Sequence, residues 1–267
     1  MSDFLHEMAR LSAQRAAALA PIASAELDKP VVELAPGAFD VIAEIKSRSP
    51  AEGELAGREL DFADRARQYA SAGAVAISVL TEPTRFEGDV AHLEQVVAAV
   101  PDTPVMRKDF LVDELQVLEA RAAGASGVLL IVAMLSDAKL RAMLDCAYEH
   151  NMFVLLELFD MADAARTSAL MFSPDEQQAA AGKLLFGVNC RDLRTLEVDA
   201  GRFADFDPAN QGGRWVAESG LHSAEDIAVV ASLGYSMALV GTSLMRRKDP
   251  GTLITDMRTA GAGARAA

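Results

Sequence analysis

The sequence predicts a closed (β/α)8 barrel with an additional N-terminal helix. Three observations predict it. Short β-rich runs alternate with longer amphipathic segments along most of the 267 residues, the signature of parallel βαβ units. Eight such runs fit into about 220 residues with no linker-like stretch between them, as a barrel requires. An open doubly wound sheet would place a Gly-rich dinucleotide turn after an early strand, but here Lys46 is followed by Ser-Arg-Ser-Pro and no GxGxxG occurs.

In chain order, residues 1–35 form a helical extension: a helix from Phe4 to about Leu19 and a connector, expected to cover the bottom or side of the barrel. Residues 36–260 form the barrel, with strands at Val41–Lys46, Ala74–Leu80, Val105–Lys108, Gly127–Val132, Phe153–Leu158, Leu184–Asn189, Trp215–Ser219 and Met237–Val240. Between them lie helical patterns such as Phe62–Ala72, Val90–Ala99, Glu114–Ala123 and Ser223–Leu233. Asp61, Asp89, Asp113 and Ser136 stand at N-cap positions, and Gly73, Gly124 and Gly234 where helices reverse into the next strand. Thr167–Lys183 is long and polar and reads as a surface insertion, and residues 261–267 as a disordered tail.

Composition narrows the function. Apolar residues make up 51% of the chain, enough for a large core and against disorder. The 39 acidic against 25 basic residues give a net charge of −14, which argues against coating nucleic acid. Cys146 and Cys190 form no CxxC pair, so neither a disulfide framework nor a cysteine-rich zinc site is expected, in keeping with a reducing compartment. The longest apolar run, Val128–Leu135, is too short for a membrane span, which needs about 20 residues. The charged N-terminus is a poor match to a signal peptide. A soluble cytoplasmic protein is expected.

Charged residues at strand ends carry the functional signal. Glu44 and Lys46 are two apart on the first strand and share a face. Lys108 ends the third strand, Glu157 interrupts the apolar fifth, Asn189 ends the sixth with Arg191 just beyond, and Glu218 lies near the end of the seventh. A structural ion pair or a solvated end would explain any one of them. Five strand ends carrying such groups in the same sense point to an active site at the C-terminal face, where barrels build theirs. Ser219-Gly220 and Gly241-Thr242-Ser243 follow the seventh and eighth strands, where barrels hold phosphate. There glycine lets backbone N–H groups approach the anion, although either glycine alone could be a plain turn residue. His6, His92, His150 and His222 show no ligand spacing, so no metal is expected. Nothing beside Cys190 would clearly activate its thiol, so both cysteines read as structural.

These segments resemble indole-3-glycerol phosphate synthase, a (β/α)8 family of tryptophan biosynthesis. The matching stretches are Ile42-Ala43-Glu44-Ile45-Lys46 with Ser49-Pro50, Ser78-Val79-Leu80-Thr81-Glu82-Pro83 with Phe86 and Gly88, and Arg107-Lys108-Asp109-Phe110 through Glu119–Ala125. Further along come Leu129-Leu130-Ile131-Val132, Gly187-Val188-Asn189, Arg191-Asp192-Leu193, Glu218-Ser219-Gly220, and Gly241 with Ser243-Leu244-Met245-Arg246. Arg-Lys-Asp-Phe is the most specific of them. The resemblance implies decarboxylating ring closure and dehydration of 1-(2-carboxyphenylamino)-1-deoxyribulose 5-phosphate to indole-3-glycerol phosphate, with no cofactor. It implies Lys108 as general acid for ring closure, Glu157 as the principal acid–base group, and Lys46 as a substrate-binding group that assists dehydration. Glu44 and Asn189 would position these groups, and Arg191 and Glu218 would complete the polar lining. Phosphate would rest on Ser219, Gly220, Gly241 and Thr242, and Phe86, Phe110, Leu129 and Ile131 would wall the anthranilate ring. The partner is a small phosphorylated molecule, with neither nucleic acid nor membrane, and the chain is expected as a monomer or weak homodimer.

The chain departs from the family pattern in places. It has Ser49-Pro50-Ala51-Glu52-Gly53 where the family often has Ser-Pro-Ser-x-Gly, and Cys190 where Asn or Ala is more usual. Neither removes a matched catalytic group. Other readings are phosphoribosylanthranilate isomerase, whose members use a Cys on the first strand where this chain has Glu44 and Lys46, and a Schiff-base aldolase using the strand lysines. A non-catalytic phosphate-binding barrel has little need for both Lys108 and Glu157.

Overall fold

Eight parallel strands close into a ring in a computed structural model that describes residues 3–50, 53–55, 60–170, 182–191 and 197–266. The strands are β1 (Asp40–Ile45), β2 (Ala76–Leu80), β3 (Val105–Lys108), β4 (Gly127–Ile131), β5 (Phe153–Leu158), β6 (Leu184–Asn189), β7 (Arg214–Glu218) and β8 (Met237–Val240), with β8 pairing back onto β1. Their near-continuous apolar runs are those of strands covered on both faces. Inward side chains such as Ile42, Met106, Leu155 and Val216 fill the barrel. Outward ones such as Val41, Val79, Val128 and Leu156 pack under the helices.

The pairing register fixes which side chains share a level. Each strand is offset from its neighbour by one residue around the ring. Lys108 therefore lies level with Glu44, Glu157 with Lys108, Glu218 with Glu157, and the circuit returns to Glu44. Barrel interiors are stacked in layers of four side chains from alternate strands. In this barrel one whole layer, from the odd strands, is ionisable.

The main helices are α1 (Asp3–Ala18), α2 (Phe62–Ser71), α3 (Val90–Ala99), α4 (Glu114–Ala122), α5 (Asp137–Glu149), α6 (Met161–Leu170), α7 (Ala224–Ser232) and α8 (Gly251–Ala266). The expected caps operate: Asp61, Asp89, Asp113 and Ser136 each accept a hydrogen bond from a backbone N–H in the first turn that follows. Gly73, Gly124 and Gly234 adopt left-handed φ angles of 83°, 96° and 100° as helices end. Among the described residues, the β6–β7 connection holds an isolated antiparallel bridge between Arg191 and Val198, the 3-10 helix Ala200–Asp205 and the single turn Pro208–Gln211.

Three expectations change. Helix α1 does not lie at the bottom or side of the barrel; it caps the C-terminal face. Leu5 and Met8 join the interior cluster beside Phe110 and Ile131, and Phe4 meets the Phe110 ring edge-on at 5.8 Å. Arg15 is the bolt: its two terminal nitrogens donate to the two oxygens of buried Asp109 at 2.7 and 2.8 Å. The connector then descends the wall, where Arg121 donates to the Lys29 carbonyl and Val32 N–H to Ser126 Oγ at 3.0 Å. The second change is at the chain end, where α8 runs through Ala266 in place of a tail. Gly261 is buried there, so close to Phe39 that a Cβ would stand 2.3 Å from its ring. The third concerns Thr167–Lys183. Its first residues belong to α6, where buried Thr167 donates to the Asp163 carbonyl at 2.8 Å, while 171–181 lie outside the described residues.

The Arg15–Asp109 pair yields a stability prediction. Burial opposes the Asp109 charge, but the bond from Arg15, the charge of Arg107 and the bond from Thr81 outweigh it and hold its pKa below the usual carboxylate range. Arg15→Ala is expected to lower the unfolding free energy at neutral pH by about 1–3 kcal/mol, the worth of hydrogen bonds to a charged group. A depressed folded-state pKa stabilises above the unfolded value and is lost as pH falls through the folded one. The difference between variant and wild type, followed by urea unfolding, should therefore narrow in acid. Equal stabilities at neutral pH would mean that apolar contacts alone hold α1.

Candidate active site

Strand β1 places Glu44 and Lys46 on the inner face, their side chains joined at 2.6 Å. Burial disfavours the Glu44 charge, yet Lys46 and Lys108 outweigh it and hold the carboxyl below its ordinary pKa. Lys108 Nζ stands 3.3 Å from Glu157 Oε2 and 3.4 Å from Glu218 Oε2. Burial works against its charge, but the carboxylates of Glu157, Glu218 and Glu44 prevail and raise its pKa. Asn189 donates to Glu157 Oε1 at 3.2 Å. The Asn189 carbonyl oxygen accepts from the Arg191 N–H at 2.9 Å and Ser219 Oγ at 2.8 Å, which orients the amide toward Glu157.

Three carboxylates thus face two ammonium groups in a poorly solvated space. Glu218 is the least compensated: burial, together with the charges of Glu157 and Glu44, exceeds the pull of Lys108 and pushes it up to about 8. A fixed ammonium, a carboxylate between it and an amide, and a carboxyl poised near neutrality form a set that moves protons.

Above this layer the cavity has two unlike sides. Phe86, Phe110 and Ile131 line the β2–β4 side, with Leu80 and Phe4 added and Leu129 reaching it from one layer below. The rings of Phe86 and Phe110 lie 6.1 Å apart. Buried Glu82 fixes the Phe86 turn by accepting the N–H groups of Thr84, Arg85 and Phe86 at 2.9, 2.7 and 3.3 Å. On the β7–β8 side are Ser219, Gly220, Gly241 and Thr242. Ser219 and Gly220 turn the chain with consecutive left-handed φ angles of 72° and 68°. Ser243 Oγ ties the two loops, donating to the Leu221 carbonyl at 3.0 Å and meeting His222 Nδ1 at 2.8 Å.

Every residue singled out in the sequence lines this one cavity: Lys108, Glu157, Lys46, Glu44, Asn189, Arg191, Glu218, Ser219, Gly220, Gly241, Thr242, Phe86, Phe110, Leu129 and Ile131. Sequence reading missed Phe4, which arrives from the repositioned α1, and the His222–Ser243 contact, which only loop pairing creates. It also gave Gly241 a backbone role alone, whereas a Cβ there would stand 2.3 Å from Glu44 Oε1 and 3.0 Å from Lys46 Nζ.

The model of one family, described as indole-3-glycerol phosphate synthase, matches residues 7–257. The chain belongs to the indole-3-glycerol phosphate synthase family. A family member of that name from a Nocardioides species is 46% identical over 211 residues, spanning 79% of this chain and 76% of its own. Another, from Mycolicibacterium gilvum, is 40% identical over 261 residues, spanning 97% and 91%. Among solved structures, 3-hexulose-6-phosphate synthase from Salmonella typhimurium superimposes with a TM-score of 0.64 at 14% identity, covering 85% of this chain and 100% of that one, a likeness of fold. Of the departures from the indole-3-glycerol phosphate synthase pattern, Ala51 and Glu52 lie outside the described residues. Cys190 is buried, with a thiol that burial pushes up to about 11, inert packing beside the site. No helix among the described residues is long and apolar enough to cross a membrane.

Proposed function

We propose that this cavity converts 1-(2-carboxyphenylamino)-1-deoxyribulose 5-phosphate to indole-3-glycerol phosphate, carbon dioxide and water. The observation that carries the reading is the division of the cavity: an aromatic wall on one side, a glycine-bearing rim on the other, and the ionisable layer between them. A substrate with an aryl ring at one end and a phosphate at the other lays its reacting carbons over Lys108 and Glu157.

With the ring against Phe86, Phe110, Leu129 and Ile131 and the phosphate on Ser219, Gly220, Gly241 and Thr242, the carboxylated ring carbon attacks the ribulose carbonyl. Lys108 delivers the proton that turns the carbonyl oxygen into a hydroxyl. Carbon dioxide leaves, and its bonding electrons restore the aromatic ring. Glu157 then works as acid and base while the hydroxyl departs as water and the new ring loses a proton. Lys46 holds substrate and assists this dehydration. Glu44 positions Lys46, Asn189 positions Glu157, and Arg191 and Glu218 complete the polar lining. The reading goes with a cytoplasmic enzyme acting as a monomer or weak homodimer, and two free cysteines suit a reducing compartment. Adding the ribulose substrate and following indole fluorescence tests it. Folded protein that yields no signal overturns it.

Gly241→Asp probes the phosphate rim. Its carboxylate would oppose the anion, and its Cβ would press on Glu44 and Lys46. KM is expected to rise strongly, and the thermal shift produced by inorganic phosphate to vanish. If turnover falls while the phosphate-induced shift survives, only the Glu44–Lys46 pair was disturbed and phosphate is held elsewhere.

A further inference from the structure

The register puts Ser78, Leu129, Gly187 and Leu239 in the layer directly beneath the ionisable one. One of its four side chains is missing, and the gap lies under Glu218. A Cβ at position 187 would stand 2.0 Å from Glu218 Oε1 and 3.0 Å from Leu155 Cδ1. Conformation does not call for glycine here: Gly187 is not among the residues with positive φ and pairs regularly with Glu157 and Val216. Glycine weakens a strand interior and often marks close approach by another group. The approaching group is Glu218.

We propose that Gly187 is a positioning residue: its missing side chain opens the pit that seats the Glu218 carboxyl and so sets the distance between that group and Lys108. The seat is steric. Glu218 Oε1 is buried with no hydrogen-bond partner among the described residues, and Oε2 meets Lys108 at 3.4 Å. Gly241 makes comparable room for Glu44, but Glu44 is also tied to Lys46 at 2.6 Å, whereas the pit is the main restraint on Glu218. The effect on turnover rests on the synthase reading; the steric coupling does not.

Gly187→Ala, Glu218→Asp and the double variant test this, with kcat, KM, the pH profile of kcat and thermal melting measured for each. In Gly187→Ala, kcat should fall about tenfold or more with KM within about threefold, the pattern of a lost transition-state interaction. Lifted toward water, Glu218 loses the burial that raises its pKa, so its limb of the pH profile should move to lower pH. The shorter Asp clears the alanine, so the double variant should turn over within about threefold of Glu218→Asp alone, the non-additivity of residues in contact. Wild-type rate and pH profile in Gly187→Ala, or strictly additive losses in the double variant, would overturn the proposal. Should Gly187→Ala not fold, melting decides: a double variant that folds supports the pit, and one that does not shows that the glycine serves strand packing or Leu155. Wild-type protein that makes no product counts against the synthase reading alone, because the coupling between positions 187 and 218 is still measured by melting.

Discussion

Lys108→Met is expected to lower kcat and kcat/KM together by at least about 10²-fold, roughly 2.7 kcal/mol of transition-state stabilisation, with KM little changed. Methionine keeps the length and much of the apolar stem but brings neither proton nor charge. The phosphate rim on β7 and β8 and the aromatic wall are untouched, so substrate should bind within a few-fold, as calorimetry would show. The structure adds a second effect. Lys108 is the shared cation of Glu157 and Glu218, and without it two buried carboxyl groups face each other unrelieved. Glu218, which burial and its carboxylate neighbours already push up to about 8, should take up a proton still more readily in the folded state. A carboxyl whose folded-state pKa is raised stabilises below its unfolded value and loses that support as pH rises through the folded one. Wild type loses the same support up to about pH 8, so the deficit of the variant should widen only as pH rises beyond that value. Retained kcat with raised KM would make Lys108 a holder of an anionic substrate group, and the proton donor would then be Lys46 or Glu157.

Glu157→Gln should reduce kcat by about 10²–10⁴-fold, the usual range for general acid–base catalysis. The amide preserves size, and its oxygen still accepts from Asn189, whose Nδ2 donates to Glu157 Oε1 at 3.2 Å. Lys108 keeps Glu218 as a partner, so the ammonium stays charged and the first proton transfer is less affected than the dehydration. Accumulation of a decarboxylated, still hydroxylated species in a single turnover would locate the loss at the second step. Near wild-type turnover would reduce Glu157 to an orienting group for Lys108.

What the sequence determined by itself rests on local physics. The short β-rich runs, the Asp and Ser caps and the reversing glycines were each readable because a strand, a helix start and a left-handed turn are decided by a few adjacent residues. Glu44, Lys46, Lys108, Glu157, Asn189 and Glu218 were legible for the related reason that charged or polar groups at the ends of apolar strands have no packing purpose. What the tertiary structure alone decided depends on how distant segments meet. The stripe of Leu5, Met8, Ser12 and Ala16 marks a buried face on α1, but nothing local says which end of the barrel it covers. That is settled by Arg15 reaching Asp109 across 94 residues of chain. Gly187 looks like any strand glycine until β7 lies beside it. The single ionisable layer arises because a one-residue offset per strand, summed over eight strands, brings the circuit back to Glu44, and that closure is a property of the ring.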